Sequence, residues 1–163
     1  SFPTRRSSDL TVVRPYEVSD NKASNQISLT EYYQVPDFWA TAKDDRVEAY
    51  AAIPDVNDYL RAPQNTVRTE PMALPHPVEV RQTTYVLLPD SWTVKGGASK
   101  VKDPAFEFES TATFATGRLT MVDSYRTLSD AIAPQSMSAY LENLRKARNM
   151  LGYTFNRPTK DKD

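Results

Sequence analysis

The sequence predicts a mainly β protein, an antiparallel β-sandwich with a C-terminal α-helix and a short middle helix. Three observations predict it. Apolar and polar residues alternate over Val78–Leu88 and again over Phe106–Ala115, the period of a strand with one buried face. Twelve prolines against four glycines, with nine tyrosines, favour strands joined by stiff turns over helices. Only near the C-terminus does the apolar spacing change to that of a helix.

The elements follow in order. Thr11–Val18 alternates, and Pro15 interrupts its ladder, which places it at a sheet margin. The polar stretch Ser19–Gln26 is a loop, and Ile27–Val35 returns as the antiparallel partner. Pro36–Trp39 closes that strand. A short strand is expected at Glu48–Ala52 and a short helix from Pro54 to Leu60, with proline suited to a first helical turn. Ala62–Pro77 holds Pro63, Pro71, Pro75 and Pro77 and is therefore an extended crossing between sheets.

Val78, Val80, Val86 and Leu88 share one face of the next strand, while Glu79, Arg81 and Thr83 share the other. Val86–Leu88 is apolar throughout, so both faces are expected to be covered there. The segment as a whole, Val78–Trp92, reads as the central strand, with its partner within Phe106–Leu128. Gly96–Gly97 marks a turn. Phe106, Phe108, Ala112 and Phe114 point inward, and Thr116–Gly117 turns the chain into Arg118–Leu128. Met137, Tyr140, Leu141, Leu144, Ala147 and Leu151 form one apolar helical stripe. Pro134 and Ser136 start that helix, and Gly152 is expected at its C′ position. Together these elements describe an immunoglobulin- or fibronectin-like sandwich over residues 11–153, with a polar tail over 154–163.

The first ten residues, SFPTRRSSDL, resemble the translated sequence of a short-read sequencing adapter, so residues 1–10 are expected to be an artefact outside the fold. On that reading the natural N-terminal part of the protein is missing.

Composition excludes several function classes. With 163 residues the chain suits one domain. It has no cysteine, which rules out a disulfide framework, thiolate metal sites and a cysteine nucleophile within it. Twenty basic against 21 acidic residues give none of the positive excess that phosphate backbones require, so no nucleic-acid partner is expected. No apolar run approaches the roughly 20 residues of a membrane span.

The candidate site residues are few. His76, the sole histidine, stands between two prolines without an evident nucleophile or orienting carboxylate, and reads as a surface or interface histidine. Asp44, Asp45, Asp55 and Asp58 lack the spacing of a calcium loop, so no metal or cofactor is expected. Phe38, Trp39 and Trp92 read as core plugs or as a stacking platform for a protein or glycan ligand. Arg68 reads as one half of an ion pair, with Glu70 or a carboxylate across the sheet, or as a solvated arginine. No catalytic residue is assigned.

The phrases YYQVPDFW, AYAAIPDVNDYLRAP, VRTEPMAL, PHPVEV, VLLPDSW, FEFES…GRL and SAYLENLRKARNMLGY occur in that order over Thr11–Tyr153. This order resembles the C-terminal part of a bacterial multi-domain family. In that family a β-rich domain of unknown function comes first, a transglutaminase-like domain follows, and a second β-sandwich closes the chain. The resemblance implies a sandwich fold here and a Cys-His-Asp machinery on the upstream domain, so no active-site residue is carried over. It implies a non-catalytic accessory domain whose partner is that transglutaminase-like domain, and a periplasmic or envelope location. The alternative is a glycan-binding sandwich that uses exposed Trp39 or Trp92.

Overall fold

The structure is a computed structural model that describes residues 11–34, 40–41, 47–51, 54–88 and 94–156. The fold is mainly β, built from antiparallel sheets as a sandwich, with a C-terminal helix. Its frame is a four-stranded sheet of β6 (Glu79–Leu87), β7 (Gly97–Lys102), β8 (Phe106–Ala115) and β9 (Arg118–Thr127), in the order β6-β9-β8-β7. Strands β8 and β9 form a hairpin through Thr116 and Gly117, both at positive φ (51° and 71°), the geometry of a type I′ turn.

Period-2 alternation sets the two faces of this sheet. Phe106, Phe108 and Ala112 of β8 and Leu119, Met121, Asp123, Tyr125 and Thr127 of β9 are buried. The opposite face is charged at one end, where Glu107 of β8 contacts Lys100 of β7 at 2.5 Å and accepts from Arg126 Nε of β9 at 2.8 Å.

Two clusters pack on the inner face. One joins Phe106, Phe108 and Tyr125 to Val56 and Leu60 and to the helix α2 (Met137–Arg148) through Met137, Tyr140, Leu144 and Ala147. Val56 lies in the short helix α1 (Pro54–Tyr59), and Leu60 directly follows it. The second cluster holds Leu88, Val94, Ala112, Leu119 and Met121, with Tyr153 packed against it. Tyr153 opens β11 (Tyr153–Asn156), which pairs with β4 (Val47–Ala51), and β4 in turn pairs with β3 (Ala40–Thr41). A short pair, β5 (Met72–Ala73) with β10 (Ala131–Ile132), borders the first cluster.

The N-terminal hairpin of β1 (Thr11–Asn21) and β2 (Gln26–Gln34) stands apart in character. Its register shifts on either side of Arg14, and Pro15 lies in the second shift, which is how the ladder accommodates a residue without an N–H. Every residue of the hairpin is exposed except the half-buried Tyr32, which lies under the Arg14 guanidinium. Val18 pairs with Leu29 and Asp20 with Ile27, so the three apolar side chains share one face.

Several expectations change. Strand β6 is an edge strand rather than the central one, and the central pair is β8 and β9. Its partner does lie where expected, in β9. Leu87 is 79% exposed, so only the Val86 side of that strand is covered. Gly96–Gly97 does not turn the chain but leads into β7. A Cβ on Gly96 would lie 2.5 Å from the Ala112 carbonyl oxygen, so the glycine permits close approach to β8. Helix α2 stops at Arg148 with Asn149 as its cap, because Met150 and Leu151 donate to carbonyls three residues back and tighten the last turn. Gly152, at φ 81°, serves instead the bend into β11. The segment read as a polar tail therefore begins in a strand, through Asn156. Pro36–Trp39, Trp92 and residues 1–10 lie outside the described residues.

Candidate functional site

A cleft of about 220 Å³ opens beside α1. Arg61 and Pro63 line it, together with Met72 to Pro75 of the Pro-rich crossing. Pro63 and Pro75 fix the backbone of these stretches, while Met72 is buried in the core cluster. Tyr125 of β9 and Tyr140 of α2 line the floor, and Tyr59 of α1 stacks on Tyr125 with ring centroids 5.6 Å apart. Behind the floor, Phe106 stacks on Tyr125 at 5.7 Å and meets Tyr140 edge-on at 5.8 Å. Phe106 is fully buried, so this aromatic group is fixed by core packing.

Burial pushes both floor phenols up, and the Asp103 carboxylate behind them adds to the effect, so each keeps its proton. Tyr125 and Tyr140 are 3% and 4% exposed. Asp103 itself is fully engaged, accepting from the Ala105 amide and from Asn143 Nδ2 of α2, each at 2.9 Å. At the rim Arg61 pairs with Asp58 at 2.6 Å. The cleft therefore offers largely apolar walls, an aromatic floor and a neutralised rim.

At the inner end Thr127 ties the crossing to β9. Its hydroxyl accepts from the Val78 amide at 2.9 Å and lies 3.0 Å from His76 Nδ1. The sequence left His76 without a partner, and the structure supplies this one. An exposed histidine whose ring nitrogen is held by a threonine hydroxyl orients the crossing, and among the described residues no carboxylate completes a triad with it.

The other sequence candidates do not converge on the cleft. The half-buried Arg68 donates from Nε to the Asn65 carbonyl at 3.2 Å, and its pairing with Glu70 is not formed. Phe38, Trp39 and Trp92 fall outside the described residues, as do Asp44 and Asp45, while Asp58 makes the rim ion pair. No group of three metal-ligating side chains occurs among the described residues. Among the described residues no helix is long and apolar enough to cross a membrane.

Comparison with known proteins adds fold-level information. No family model and no curated protein matches the chain. The fold is similar to part of a crystal structure of a "putative protease" from Parabacteroides distasonis ATCC 8503, with a TM-score of 0.55 and 16% identity over 72% of this chain. The chain spans about a quarter, 24%, of that protein's length. At this identity the likeness is one of fold alone.

Proposed function

We propose that this chain is a non-catalytic accessory β-sandwich domain of a bacterial transglutaminase-like envelope protein, and that it docks on a catalytic domain of the same polypeptide. The observation that carries this reading is the β1–β2 hairpin. Its apolar face presents Val18, Ile27 and Leu29 at 59%, 72% and 60% exposure. A two-stranded hairpin with an uncovered apolar face is marginal in water, and packing against a neighbouring domain would stabilise it. The fold likeness to a quarter of a much longer protein supports a role as one module among several. That protein's designation as a protease is compatible with a hydrolytic parent.

An assay of the 163-residue chain for peptide hydrolysis and for glutamine–lysine cross-linking tests the reading. Neither reaction is expected. Turnover of either substrate, abolished by a point substitution in the chain, would contradict it.

A further inference from the structure

We propose that β6 is the seam of a homodimer: two copies of the chain pair antiparallel along their open β6 edges, about a two-fold axis at Thr83, and join their four-stranded sheets into one. This pairing is independent of the accessory-domain reading. The backbone leaves the edge open. The Val78 carbonyl accepts from the Thr127 amide at 2.9 Å, and the Leu88 amide donates to the Gly117 carbonyl at 2.8 Å, so the even-numbered residues bond to β9. Bonding direction alternates along an antiparallel ladder. Glu79, Arg81, Thr83, Tyr85 and Leu87 therefore turn their N–H and C=O groups away from β9, and no described strand pairs with them. Such an edge is a template for another strand unless it is blunted. The opposite edge, β7, carries Lys100 and Lys102, and β1 has Pro15 and two register shifts. Strand β6 has no proline, no lysine and no bulge over its nine residues.

The side chains fit the edge to a second copy. With Thr83 opposite itself, every outward N–H and C=O of one β6 meets one of the other. On the outer face Arg81 then falls opposite Tyr85 of the second copy, and Glu79 opposite Leu87. On the inner face Val80 falls opposite Val86 of the second copy, and Gln82 opposite Thr84, apolar on apolar and polar on polar. All four inner residues are half-buried in the single chain, as on a strand covered along one flank only. Threonine, β-branched and cation–aromatic pairs across strands are each favourable. Both charges of the strand meet uncharged residues. A register that sets Arg81 opposite itself joins like charges, and any slip leaves outward backbone groups unpaired. Tyr85 and Leu87, 62% and 79% exposed, gain neighbours in the pair.

The chain has no cysteine, so single introduced cysteines report the register. In a hydrogen-bonded antiparallel pair the opposing Cα atoms are about 5.5 Å apart, within disulfide reach. Mild oxidation of Thr83→Cys is expected to give a covalent dimer. Arg81→Cys should not cross-link to itself, because the two copies of that position lie roughly 13 Å apart along the seam. An equimolar mixture of Arg81→Cys and Tyr85→Cys should cross-link. Sedimentation velocity of the 163-residue chain should show a dimer with a Kd on the order of 10–100 μM. Thr83→Lys, which sets two lysines face to face at an exposed position, should raise that Kd about fivefold or more. The proposal is overturned by a chain that stays monomeric at roughly 500 μM, by Arg81→Cys cross-linking to itself as fast as Thr83→Cys, or by a dimer that Thr83→Lys leaves intact.

Discussion

Asp123 of β9 lies directly opposite Ser110 of β8 on the antiparallel ladder, and it is a carboxylate with 1% exposure set between two apolar clusters. Neither of its oxygens accepts a hydrogen bond of normal geometry among the described residues. Met121 of one cluster and Tyr125 of the other flank it along the same face of the strand.

Burial therefore pushes the Asp123 carboxyl up, with the Ser110 hydroxyl opposing more weakly. The sign follows from linkage. A carboxyl whose folded pKa exceeds its unfolded value of about 3.9 costs stability as pH rises above that value, and the cost is complete above the folded pKa. Asp123→Asn is expected to raise stability at pH 7 by about 1–3 kcal/mol and to leave it nearly unchanged at pH 3.5. Urea unfolding of both proteins at the two pH values checks this.

Glu107 behaves in the opposite sense. Hydrogen bonds from Lys100 and then Arg126 hold its carboxyl down at about 2. Its contribution is present above the unfolded value of about 4.3 and is lost as pH falls toward 2. Glu107→Gln should therefore destabilise the chain at pH 7, and the difference should shrink steadily as pH falls from about 4 toward 2. Because Lys100 and Arg126 are solvent-exposed, the loss should be smaller in 1 M salt than in 50 mM, and thermal melts at both salt concentrations measure it.

Thr116 sits at φ 51° in the β8–β9 turn, a conformation that a β-branched residue adopts with strain. Thr116→Asn produces the Asn-Gly pair that this turn favours. It should raise stability by about 0.5–1 kcal/mol, read as a shift in the urea midpoint at constant slope.

The exposed face of the β1–β2 hairpin gives a contrasting expectation. Ile27→Thr together with Leu29→Thr should change the stability of the isolated chain by no more than about 0.5 kcal/mol, because both side chains are already in water. On the proposed accessory role, the same pair should abolish docking on the catalytic domain, as read by protection of hairpin amides from hydrogen exchange.

The elements that alternation or a helical stripe encodes were legible from the sequence: the β1–β2 hairpin, β6, β8, β9 and α2. Strand β7 was not, since GASKVK buries only Val101 and carries lysines outward, as an edge strand does. Alternation also does not distinguish an edge strand from a central one, which is why β6 reads as central. Strands β5, β10 and β11 are too short to carry a period, and their pairing is a tertiary event. The cleft was not legible either. Tyr59, Tyr125 and Tyr140 come from three distant elements, and Tyr59 and Tyr140 each read locally as part of an apolar helical surface. Their convergence on one cleft exists only in three dimensions.

The proposed role, an accessory domain docked on a catalytic neighbour, is tested most directly by the genomic reading frame that encodes Thr11–Tyr153. On the proposed role, that frame also encodes a transglutaminase-like domain with a cysteine and a His–Asp pair. A frame that encodes no domain with that catalytic set would contradict it.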